Sequence, residues 1–102
     1  MKYLITESQL DRVIFKYLDN QDFIQIERND AIYFLNSKLD GFAEIKYDME
    51  DGRCFIHYKL IYEISSFFSI DEFDSKEVIS RWVKNTLQMK VTDTSGAILP
   101  LP

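Results

Sequence analysis

Three features of the 102-residue chain predict an α+β fold: an amphipathic helical pattern near the start, two-residue alternation from Asp22 to Lys59, and a return to helical spacing up to Lys90. The expected order is an N-terminal helix, a four-stranded antiparallel meander, then one short and one long C-terminal helix. With 46% hydrophobic residues the chain can bury one core but not two, so a single domain is expected over residues 1–90, followed by a loose tail over 91–102. The 15% aromatic content, with only three Gly and two Pro, is opposed to disorder.

The first helix has a local start signal. Thr6 followed by Gln9 forms a capping box, with Ile5 and Leu10 as its hydrophobic staple. Leu10, Val13, Ile14, Tyr17 and Leu18 then recur at i, i+3, i+4, i+7, i+8, which places them on one stripe facing a core. Phe15 lies off that stripe, over the edge of the core.

The strands follow from alternation and turn chemistry. FIQIER and AIYFLN flank Asn29-Asp30, a pair that tolerates positive φ and suits a two-residue hairpin. The second run is apolar on both faces through Ile32, Tyr33, Phe34 and Leu35, as expected of a central strand. FAEIKYD sets Ala43, Ile45 and Tyr47 against Glu44, Lys46 and Asp48. Asp51-Gly52 marks the next turn, after which Cys54, Ile56 and Tyr58 point inward. Such short connections imply an antiparallel meander.

Residues 60–68 fit either a strand extension or a helix, and the spacing of Leu60, Ile61, Ile64, Phe67 and Phe68 favours the helix. Two further start signals overlap beyond it: Ser69 with Glu72, and Asp74 with Glu77. In the long helix, Val78, Val83, Thr86 and Met89 surround Trp82 on one face. The tail VTDTSGAILPLP loses this period and reads as a loose strand or flexible end.

The stretch FFSIDEFDSKEVISRW has the form of a helix-turn-helix element, but its charges oppose DNA binding. Asp71, Glu72, Asp74 and Glu77 stand where a recognition helix would meet phosphates. Arg81, Lys84 and Lys90 come last, an order that the helix dipole favours by itself. The net charge of −5 points the same way, so nucleic acid is not the expected partner.

No constellation nominates a reaction. Cys54 and His57 are three apart on a strand and face opposite ways, and two ligands fall short of a zinc site. Asp48, Glu50 and Asp51 lack the ligand spacing of a calcium loop and read as a solvated turn. A single His must serve any nucleophile, and three scattered Gly make no phosphate loop. The expectation is therefore a protein that is not an enzyme, with no cofactor and no metal. One Cys suggests a reducing compartment, and no apolar run approaches the roughly 20 residues of a membrane span. MKYLITESQL lacks the apolar region of a signal peptide, so a soluble, cytoplasmic protein with no membrane partner is expected.

LITESQL together with ISSFFSIDEFDSKEVISRWVKNTLQMKVT resembles short proteins encoded by tailed phages of marine bacteria. That resemblance covers the two ends and implies a host-cytoplasm setting without any activity. FAEIKYDMEDG is similar to the strand-and-turn region of Sm-like small barrels, which implies as an alternative fold a small bent barrel with an added helix. The RNA-contacting loops of that family are not matched, so no site residue carries over.

The expected function is that of a non-enzymatic interaction or accessory protein, phage-encoded and self-associating as a homo-oligomer. A nucleic-acid-binding module, Sm-like or built on the helix pair 60–90, is the alternative. The candidate interface residues are Gln25 and Glu27, on a strand expected at a sheet edge, with Phe15 and Phe55 on outward positions.

Overall fold

A computed structural model describes residues 7–36 and 41–102 of the chain. Helix α1 (Glu7–Asp19) leads into strands β1 (Ile24–Arg28), β2 (Ala31–Leu35), β3 (Ile45–Asp48) and β4 (Arg53–His57). Helices α2 (Tyr58–Phe68) and α3 (Glu72–Leu87) follow, and strand β5 (Asp93–Ala97) completes an α+β fold with five strands. The cap expected at Thr6 and the staple residue Ile5 lie outside the described residues.

Strands β1 to β4 form the antiparallel meander that the turn signals imply. Asn29 and Asp30 both take positive φ, 53° and 60°, the conformation of a tight two-residue hairpin. In the turn after β3, Gly52 has φ +78° while Asp48 and Asp51 accept the amides of Glu50 and Arg53. Those carboxylates cap backbone groups, as a solvated turn requires.

The chain leaves β4 directly into α2, so the fourth strand ends at His57. Tyr58, expected to point inward from the strand, is instead exposed on the first turn of α2. The helical reading of 60–68 holds. Asp71, rather than Ser69 or Asp74, is the N-cap of α3, and its side chain accepts the Asp74 amide at 2.7 Å. Ser69 closes α2 in the left-handed conformation with φ 55°.

Residues 91–102 are not a loose end. β5 pairs in parallel with β4 from Arg53↔Asp93 to His57↔Ala97, and the α2–α3 pair supplies the crossover that parallel neighbours need. Thr94 Oγ1 donates to Ser80 Oγ, and Gly96 packs so close to the Tyr58 ring that an added Cβ would come within 2.7 Å of it. Further on, Phe42 bridges to Pro100 and the Ala43 amide donates to Leu99 O. The strand order is β1-β2-β3-β4-β5, and β1 and β5 do not pair with each other among the described residues. The sheet is therefore open, and the closed small barrel is not formed.

The main core lies between one sheet face and the helices. Ile32, Phe34, Ile45, Tyr47, Cys54 and Ile56 meet Ile14, Leu18, Leu60, Ile64, Val78, Ile79, Trp82 and Val83. Trp82 is buried where expected, and its indole N–H donates to Asp19 Oδ1 at 2.9 Å. Thr86 and Met89 are exposed instead of joining that face, because Ile79 and Ser75 take the inward positions and α3 stops at Leu87. On α1 Leu10, Ile14, Tyr17 and Leu18 face the core and Phe15 packs at its edge, as expected, whereas Val13 is exposed. A second, smaller cluster of Ala31, Tyr33, Ala43 and Leu99 lies on the other sheet face.

Candidate interaction surface

The outward stripe of α3 begins with its cap and first turn. Asp71 must sit beside the exposed N-terminal amides of the helix, and acids there are stabilised by the dipole. Further along, Asp74, Glu77, Arg81, Lys84 and Gln88 recur at three- and four-residue intervals and share one face. At the middle of that face Arg81 makes a two-pronged pair with Asp11 of α1, at 2.7 and 2.8 Å. This pair ties α1 to α3 and leaves that point of the surface nearly neutral.

Two grooves run along the α1–α3 seam on either side of Arg81, which lines both. The first, of about 600 Å³, is acidic and apolar, with Asp74 and Glu77 beside Leu10, Ile70 and Phe73. The second, of about 500 Å³, is basic and apolar, with Lys84 and Lys90 beside Phe15 and Met89. Phe73 is 64% exposed and Met89 39%. An apolar side chain so exposed at each end of a charged stripe adds nothing to the core.

A third groove of about 700 Å³ lies between α2, the start of α3 and β5. Tyr58, Ile61, Tyr62, Lys76 and Gly96 line it. Tyr58 and Tyr62 stand one helical turn apart, and Tyr62 is 69% exposed. Phe67, at the far end of α2, is also exposed, although its ring lies 5.0 Å from that of Tyr17.

The four expected interface residues do not come together. Gln25 and Glu27 are exposed on β1, which is an edge strand as expected, and pair with Phe34 and Ile32 on the helix side of the sheet. Phe55 is half-buried on the opposite face, where Lys46 Nζ lies 5.8 Å from its ring centroid and 5.7 Å from that of Tyr33. Phe15 alone sits in a groove with exposed apolar and charged neighbours. Sequence reasoning missed Phe73, Met89, Tyr58 and Tyr62. Phe73 sits two residues beyond the Asp71 cap and Met89 just past the Gln88 cap, which was the available signal. The four-residue separation of Tyr58 and Tyr62 was another.

Cys54, His57 and Tyr17 are engaged in structure. Burial pushes the Cys54 thiol up to about 12, so it is protonated near neutral pH and a poor nucleophile. His57 is buried, and its Nδ1 accepts the Lys59 amide at 3.1 Å as the N-cap of α2. Burial, then the Lys59 ammonium, hold its pKa below the ordinary histidine value. The Tyr17 hydroxyl donates to Glu63 at 2.6 Å; burial and this bond raise its pKa to about 12, and the charge of buried Glu44 adds to the effect. Among the described residues no group of three or more His, Cys, Asp or Glu is placed to hold a metal ion, and no helix is long and apolar enough to cross a membrane.

No protein-family model, curated protein sequence or solved structure matches the chain.

Proposed function

We infer that the chain is a non-enzymatic interaction protein that self-associates and acts as an accessory component. The observation that carries this reading is the exposure of Tyr58, Tyr62, Phe67 and Phe73, four aromatic side chains on α2 and the start of α3, each more than half open to solvent. Aromatic residues are enriched where proteins meet, because a rigid ring buries a large area at little entropic cost. The core already holds Trp82 and Phe34 without them. The host-cytoplasm setting implied by the phage-like ends belongs to the same proposal.

Light scattering over a concentration series tests it. A mass rising towards a multiple of the 12.1 kDa chain supports self-association, and a constant monomer mass at high micromolar concentration rejects it. One observation favours nucleic acid instead: Lys84 and Lys90 stand beside Phe15 at the basic end of α3. Retention on single-stranded RNA or duplex DNA that weakens steeply with salt would support that reading, since phosphate contacts release counterions. The acids at Asp71, Glu72, Asp74 and Glu77 on the other end of the same helix weigh against it.

A further inference from the structure

We propose that the self-associating surface is the outward stripe of α3 and that its occupant is α3 of a second copy, packed antiparallel across a two-fold axis near Arg81. The proposal rests on the self-association reading and adds the surface and its symmetry. The stripe is acidic at one end, basic at the other and close to neutral at the Arg81–Asp11 pair between them. A two-fold axis at that middle point maps each end onto the other, so the surface is its own electrostatic complement. A partner of uniform charge would be attracted at one end and repelled at the other.

The spacing of the residues fits such an axis. Glu77 and Lys84 are seven residues apart on α3, about 10 Å along the axis, and their midpoint falls beside Arg81. An antiparallel second copy therefore sets Glu77 against Lys84, a pair that occurs twice. In that register Phe73 falls beside Gln88 and Met89 of the second copy and reaches towards the groove holding Phe15. The helix dipole accounts for acids first and bases last within one chain. It gives no reason for Phe73 and Met89 to stand exposed at the two ends, whereas mutual burial does.

The surface also removes an objection raised by net charge. Two copies at −5 each repel on average, so association has to be directed by local complementarity.

Charge exchange on the full chain is the test, with dissociation constants read by sedimentation velocity and folding checked by circular dichroism. Glu77→Lys and Lys84→Glu, each placing like charges together twice per dimer, should weaken association by about tenfold or more. The combined Glu77→Lys/Lys84→Glu chain restores opposite charges across the axis and should return to within about threefold of the parent. Phe73→Ser should weaken association without changing the fold. A parent that stays monomeric at high micromolar concentration overturns both this surface and the self-association reading. A dimer indifferent to the single exchanges, or one that the combined exchange fails to restore, overturns this surface and leaves self-association standing.

Discussion

The two faces of the sheet are finished in different ways, and the difference locates the free surface of the molecule. The face under the helices is closed by large side chains: Phe34, Ile45, Ile56, Ile64, Ile79 and Trp82 meet there with no solvent contact or almost none. The opposite face has no helical cover among the described residues and is finished by small or amphipathic groups. Ala31 and Ala43 need little cover, Lys46 lies over Tyr33 and Phe55, and the Leu99 region closes one end through its bond from the Ala43 amide. Exposed aromatic surface is therefore concentrated on the outside of the helices rather than on the open sheet face.

The contrast can be broken at its strongest point first. Trp82→Ala removes a ring wedged against Phe23 and Phe34 and strands Asp19 without its indole donor, so a loss of about 3–5 kcal/mol is expected in urea unfolding. A loss under about 1 kcal/mol would mean that the helical layer is not the main core.

The end of the sheet offers a smaller effect. Gly52 has φ +78°, and an added Cβ would stand 3.0 Å from Lys90 O and from the Thr92 side chain. Gly52→Ala should therefore destabilise by about 1–3 kcal/mol, by backbone strain and by loosening the segment that leads into β5. Hydrogen exchange should report that loosening as lost protection at Thr92, whose amide donates to Gly52 O.

These contacts also show why the meander was legible in the sequence and β5 was not. Asn29-Asp30 and Asp51-Gly52 are local instructions, readable because φ is decided within two residues. DTSGA carries no alternation of large apolar groups. It is a strand because Thr94 finds Ser80, Gly96 fits under Tyr58, and α2–α3 returns the chain to the edge of β4. All three are long-range facts. The cap of α3 failed for another reason: Ser69, Asp71 and Asp74 are all competent acceptors, and only the left-handed end of α2 at Ser69 decides among them. The edge position of β1 was readable, but grouping its Gln25 and Glu27 with Phe15 and Phe55 was not supported. Face parity depends on register, and Phe55 pairs with Lys46 on the side away from Gln25.

A pH series sharpens the comparison on the less covered face. His57 must be neutral for Nδ1 to accept the Lys59 amide, and its folded pKa lies below the ordinary value. The unfolded chain thus binds this proton more readily. Stability from this group is complete above about pH 6.5 and declines as pH falls towards the folded pKa. Melting temperatures should drop between pH 7 and pH 5, and His57→Asn, whose side chain can cap without titrating, should flatten that part of the profile. An unchanged slope in the variant would assign the acid sensitivity to other groups.

The smallest effect on folding is expected on the surface proposed to carry association. Phe73→Ala deletes an exposed ring and should change monomer stability by no more than about 0.5 kcal/mol. A loss of 2 kcal/mol or more, on the order of a buried aromatic, would make Phe73 part of the core and remove it from the surface stripe.

The claim that the helices rather than the sheet carry the association is tested most directly by amide chemical shifts followed through a dilution series. Concentration-dependent changes are expected along Phe73, Glu77, Arg81, Lys84 and Met89, with Phe15 beside them, while Gln25, Glu27 and Phe55 stay fixed. Changes confined to Gln25, Glu27 and Phe55, or no changes up to high micromolar concentration, would contradict it.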